Sequence, residues 1–144
     1  MTTVKQILTL KGTEVVSGDA SMTLGRAVAR LAEKRIGALV LTDESRHVVG
    51  ILSERDVVRV LASQGVSALS EPVSYFMTRA VSTCSKANTL EDVMDMMTTG
   101  RFRHMPVVEG GVLAGIISIG DVVKHRVADI EHQASEIRNY LFTT

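Results

Sequence analysis

Two segments of the 144-residue chain carry the same chemically useful residues at the same spacing. They are Gly50-Ile51-Leu52-Ser53-Glu54-Arg55-Asp56-Val57-Val58 and Gly115-Ile116-Ile117-Ser118-Ile119-Gly120-Asp121-Val122-Val123. In each, an apolar run leads a serine, Ser53 or Ser118, to what reads as the start of a helix. Free backbone N–H groups and the positive end of the helix dipole gather there, a setting suited to phosphate. Three residues on, Asp56 or Asp121 can accept two hydrogen bonds from a vicinal diol such as a ribose presents. The glycine permits a tight strand start or a close backbone approach. Together these features suit a nucleoside phosphate. The same Ser-x-x-Asp spacing is also a helix capping box, with serine at N-cap and aspartate at N3. A duplicated capping box would serve stability alone, and the residues leave both readings open.

The repetition extends beyond the two corners. Thr23-Leu24 faces Thr89-Leu90, Arg35 faces Arg101 and Asp43 faces Glu109, all offset by 66, whereas the corners are offset by 65. The one-residue slip falls in the turn between two strands, where hairpin loops vary. The lead-in Val4-Lys5-Gln6-Ile7-Leu8-Thr9 resembles Val73-Ser74-Tyr75-Phe76-Met77-Thr78. Such a period is too long for a solenoid and fits two copies of one small module.

Each copy reads as a short alternation of elements. In the first, Val15-Val16 is a brief strand. Residues 23–35 form a helix with Leu24, Ala27, Val28 and Leu31 on one face, stopped by Gly37. Residues 38–41 and 48–52 are strands about a polar turn, and a helix opens at Ser53. The second copy predicts a strand at Val81-Ser82-Thr83, a helix over 89–99, strands over 105–108 and 112–117, and a helix from Ser118 to about Leu141. The linker is 64–72. The chain divides into 1–66, the first repeat with an N-terminal lead-in, and 67–144, the second repeat with a C-terminal helix. A module of about 60 residues is marginal alone. Packing the two sheets against each other creates a pseudo-two-fold axis and two related clefts.

Composition narrows the function. Lys plus Arg total 16 and Asp plus Glu total 16, spread evenly between the halves, which speaks against avid non-specific nucleic-acid binding. No apolar run approaches the roughly 18 residues of a membrane span, and the first residues lack a signal-peptide layout. A single cysteine, Cys84, fits a reducing cytoplasm. No clustered metal ligands and no nucleophile–base pair stand out, so the expectation is a protein without catalytic residues and without a metal.

These features resemble a tandem pair of cystathionine-β-synthase (CBS) domains, a Bateman module. The resemblance rests on the repeated Gly-h-x-Ser-x-x-Asp corner (h apolar), on Arg103-His104-Met105-Pro106-Val107-Val108 before the second turn, and on Ile36-Gly37-Ala38-Leu39-Val40 in the matching place. It implies an α/β (α+β) fold of two βαββα units packed sheet to sheet, and homodimers built through helices. It also implies adenosyl ligands: AMP, ADP or ATP, less often NAD(H) or S-adenosylmethionine. By that resemblance, Asp56 and Asp121 hold ribose, and serine contacts phosphate. One cleft combines Ser53 and Asp56 with Thr83, Cys84, Arg103, His104, Met105 and Pro106. The other combines Ser118 and Asp121 with Val16, Ser17, Ile36, Gly37, Ala38 and Leu39.

The copies are not identical. Arg55 faces Gly120, and Gly37-Ala38 faces Arg103-His104. The first cleft therefore gathers Arg55, Arg103 and His104 and is expected to prefer a mononucleotide phosphate. The second is expected to be weaker, empty, or open to a larger group such as the nicotinamide half of NAD beside Gly120. The overall expectation is a cytoplasmic sensor of adenine nucleotides that acts on an effector protein in trans, with a ligand-independent dimeric scaffold as the rival.

Overall fold

A computed structural model of the chain describes residues 1–142. In order, its elements are α1 (Val4–Lys11), β1 (Ser17–Asp19), α2 (Leu24–Lys34), β2 (Ala38–Thr42), β3 (Val48–Ser53), α3 (Glu54–Gln64), short 3-10 helices at Val66–Ser70 and Val73–Tyr75, α4 (Leu90–Gly100), β4 (His104–Glu109), β5 (Val112–Ser118) and α5 (Ile119–Phe142). Hydroxyl side chains start the helices: Thr3, Thr23, Ser53 and Thr89 each accept from a backbone N–H of the first turn. The helix α2 ends within the expected 23–35, but Arg35 and not Gly37 makes its stop. Arg35 takes the left-handed conformation, with φ of 53°, and the Ile36 N–H returns to the Leu31 carbonyl at 3.1 Å, closing the last turn. Arg101 ends α4 in the same way, with φ of 56°.

The first sheet has the order β1-β2-β3, parallel between β1 and β2 and antiparallel between β2 and β3. In the second, β4 and β5 pair antiparallel, and Cys84 supplies a single parallel bridge to Val107 where a third strand would lie. The strands expected at Val15-Val16 and at 81–83 are thus displaced, to 17–19 and to Cys84. Pairing with the neighbouring strand decides where they form, and β-branched content alone does not.

The interior divides into two clusters. One holds Leu24, Leu39, Leu41 and Leu52, and the other Leu90, Met105, Val107 and Ile117. The lead-ins are exchanged between them. Val4, Ile7 and Leu8 of α1 are buried in the second cluster, and Ala68, Val73 and Met77 of the intervening segment are buried in the first. Backbone hydrogen bonds repeat the exchange. The Val4 N–H reaches the Asn88 carbonyl (2.9 Å) and the Leu90 N–H the Thr2 carbonyl (2.8 Å). Likewise the Val73 N–H reaches Met22 (2.7 Å) and the Leu24 N–H reaches Glu71 (2.8 Å).

The repeated glycines have their explanation here. A Cβ on Gly50 would run into the Met77 sulfur, and one on Gly115 would lie 2.8 Å from a Leu8 methyl. The close approach anticipated at these glycines is that of the exchanged lead-ins. Because Ile7 is fully buried among second-repeat residues, Ile7→Ala is expected to destabilise the protein by about 2–5 kcal/mol. Urea unfolding would read this, and a loss below about 1 kcal/mol would mean that α1 is dispensable to that core.

Candidate functional site

Both corners form as strand-to-helix turns, β3 into α3 and β5 into α5. The Ser53 hydroxyl accepts from the Asp56 N–H (3.2 Å), and Asp56 Oδ2 accepts from the Ser53 N–H (2.9 Å). The Ser118–Asp121 pair repeats this at 3.2 and 2.8 Å. The capping-box reading is therefore realised twice. It leaves Asp56 Oδ1 for another partner, and Arg59 Nη1 lies 3.4 Å from it.

At the first corner the capped start of α3 opens into a cavity of about 400 Å3, within the roughly 300–1,000 Å3 of small-molecule sites. Ser53, Glu54, Arg55, Asp56 and Arg59 line one side. Arg101, Phe102, Arg103 and His104, from the end of α4 and the start of β4, line another. Ile51, Thr78, Ala80, Val81 and Ser82 contribute a less polar wall, and Gly37, Ala38 and Gly100 complete the cavity. Four arginines thus face two carboxylates in a chain whose total charge is zero.

The expected residues are partly redistributed. Ser53, Arg55, Asp56, Arg103 and His104 come together as anticipated. Gly37 and Ala38, assigned to the second cleft, line the first, because the start of β2 lies beside the start of β4: a Cβ on Gly37 would sit 3.1 Å from the His104 ring. Leu39, Cys84, Met105 and Pro106 are buried in the sheet interiors, so their side chains serve the cores. Val16 and Ile36 pack against the first core, and Ser17 lies in β1 opposite Val40. Thr83 adjoins the Cys84 bridge, half-buried, while Val81 and Ser82 take the cavity wall. Arg59, Arg101 and Phe102 line the cavity without having been among the expected site residues. Arg59 lies one helical turn beyond Asp56, and Phe102 is one of five aromatic residues in the chain and sits between two arginines.

The second corner is engaged differently. Lys11, at the end of α1, places Nζ 2.6 Å from Asp121 Oδ2 and 2.8 Å from the Ile116 carbonyl oxygen. Asp121 Oδ2 also accepts from the Ser118 hydroxyl at 3.0 Å. Burial alone would raise the Asp121 carboxyl, but the Lys11 ammonium and the Ser118 N–H outweigh it and hold the group below its ordinary value. Burial pushes the Cys84 thiol up to about 11, in keeping with a packing role. Burial also lowers His104, with Lys11 and Arg103 adding to the effect and Glu54 and Asp121 opposing it. Among the described residues, no group of three or more His, Cys, Asp or Glu is placed to hold a metal ion, and no helix is long and apolar enough to cross a membrane.

Two exchanged repeats, each with a capped serine–aspartate corner, define a paired-repeat module. The CBS domain profile matches twice, over residues 4–63 and 73–128, and the chain belongs to that family as a tandem pair. A solved CBS-domain-containing protein, ATU1752 from Agrobacterium tumefaciens, is 48% identical, with a TM-score of 0.83 over 87% of this chain and 99% of that one. The CBS domain protein PAE2072 from Pyrobaculum aerophilum, complexed with AMP, is 26% identical with a TM-score of 0.74, covering 83% and 88% of the two chains. The CBS domain-containing protein CBSCBSPB1 of Arabidopsis thaliana is 31% identical over 88% of this chain, which spans 23% of that longer protein.

The lowered His104 bears on acid stability. Its folded-state proton affinity lies below the ordinary 6.5, so the unfolded chain binds the proton more readily. Above about pH 6.5 the ring is neutral in both states and costs nothing; as the pH falls from there towards the lower folded-state value, the unfolded chain is increasingly favoured. His104→Gln is expected to flatten the decline in unfolding free energy between about pH 7 and pH 5. Identical declines in parent and variant would show that another group carries it.

Proposed function

We propose that the chain is a regulatory module that binds an adenine mononucleotide in the first cleft. The observation that carries this reading is the convergence of Arg55, Arg59, Arg101 and Arg103 with Asp56 and the capped N-terminus of α3 on one cavity. The α3 amide groups and arginines suit a phosphate, which arginine meets in a bidentate fashion. Asp56 keeps an oxygen for the ribose hydroxyls. Ile51, Val81 and Phe102 offer apolar surface to the base. The AMP complex of the Pyrobaculum aerophilum relative supports an adenosyl ligand.

The reading involves no covalent chemistry, since Ser53 is engaged in the helix cap. The output is a change in packing between the repeats, passed to an effector protein in trans; the population shifts only as far as the ligand's differential affinity allows. The cytoplasm is the compartment this reading assigns. ADP, ATP, NAD(H) and S-adenosylmethionine are the competing ligands.

A second copy of this chain is the partner we assign to α5. Val123, Val127, Ile130, Ile137 and Leu141 are exposed, and with Ala134 they follow spacings of four and three residues in alternation, a coiled-coil seam. Lys124, Arg126 and Arg138 flank it with Glu131, giving opposite charges for pairing across two such helices.

Titration calorimetry with AMP is expected to show binding that Asp56→Ala weakens by about tenfold or more, while Asp121→Ala changes it by less than about twofold. Equal losses from both would refute the preference for the first cleft, and no heat or thermal shift with any adenosyl compound would favour the ligand-independent scaffold. Sedimentation of an Ile130→Glu, Ile137→Glu double variant should give a monomer, because both side chains are exposed and the fold is untouched. A persisting dimer would remove α5 from the interface.

A further inference from the structure

The two corners differ in a contact that their shared capping does not account for. Leu8 and Met77 occupy matching places, each over the glycine of its corner strand. Three residues further along the lead-ins, Lys11 therefore matches Ala80. Ala80 lines the open first cavity and has no group with which to reach Asp56. Lys11 reaches across to the second corner and bonds both the Asp121 carboxylate and the β5 carbonyl of Ile116.

We infer that Lys11 is a tethered occupant of the second cleft, its ammonium holding the carboxylate that a ligand's ribose would need, so that an adenosyl ligand enters there only by displacing it. This deepens the proposed function and rests on its assignment of the corner aspartates to ribose.

The anchoring of α1 makes the occupant effective. Val4, Ile7 and Leu8 are at most 2% exposed, so the base of the Lys11 side chain is fixed and its ammonium competes as an intramolecular group at high effective concentration. The stem is flexible and the side chain is 30% exposed, so displacement into water needs no rearrangement of α1. Oδ2 of Asp121 takes the Ser118 N–H and hydroxyl together with the Lys11 ammonium, so that oxygen is crowded and the carboxylate charge is neutralised while Lys11 remains. The Asp56 carboxylate has Arg59 at 3.4 Å, on a side chain that is 76% exposed. Lys11 thus supplies a physical cause for unequal clefts at the ribose end, independent of the arginines that distinguish them at the phosphate end.

The test is the number of AMP molecules bound, by equilibrium dialysis and calorimetry, to the wild type, Lys11→Met, and Lys11→Met with Asp56→Ala. Methionine keeps an unbranched stem and removes the charge. The expected result is one tight equivalent for the wild type, a second for Lys11→Met with affinity at that site raised about fivefold or more, and only the second in the double variant. A Lys11→Met protein that still binds one equivalent, lost with Asp56→Ala, overturns the role of Lys11 and leaves the first-cleft reading standing. Weaker AMP binding by Lys11→Met also overturns it, because Lys11 would then be a ligand contact. No binding by any of the three would overturn the adenosyl reading itself, and this inference with it.

Discussion

Two insertions hold the pair together: Leu8 over Gly115 and Met77 over Gly50. Each glycine lies on the strand that leads into a serine–aspartate corner, and each inserted side chain comes from the segment preceding the other repeat. An added Cβ would fall inside van der Waals contact in both places, so Met77 or Leu8 would have to move to admit it. The position of both corners therefore depends on packing between repeats. The geometry of either corner cannot be separated from the way the halves are docked.

The two corners built on this frame share their capping and differ in charge. A capping box satisfies helix-terminal N–H groups in both. Around the first, four arginines face a cavity; around the second, a lysine is bonded to the aspartate. A total charge of zero conceals this arrangement, because what a ligand meets is the field of one cleft, concentrated by low-dielectric walls. His104 lies between the two, within electrostatic reach of Glu54 on one side and of Lys11 and Asp121 on the other.

What was legible in the sequence was local. The serine caps, the helices opening at 23 and 89, the two hairpins and the aspartates follow from spacing along the chain, and the duplication makes each visible twice. The partner of α1 was not legible: the likeness of Val4–Thr9 to Val73–Thr78 shows two matching lead-ins without saying which repeat each covers. Gly37 and Ala38 were placed opposite Ser118 because the alignment sets them against Arg103 and His104. In space the two segments are neighbours beside the pseudo-axis, so both border the first cavity. Arg59 and Arg101 are ordinary helix-surface and helix-terminal residues until the fold turns them toward the same space. Cys84, Met105 and Pro106 sit in apolar runs whose inward-facing side depends on a register seen only in the sheet.

The exchange of lead-ins also means that the unit of sequence and the unit of closure are out of phase. A single repeat with its own lead-in leaves its core open and carries an apolar segment with nowhere of its own to dock. Two such halves can complete each other, lead-in to neighbouring core, in a symmetric ring that has no third place. Joining them in one chain turns that closure from an association dependent on concentration into a folding event. The smallest self-sufficient piece of this architecture is therefore the pair.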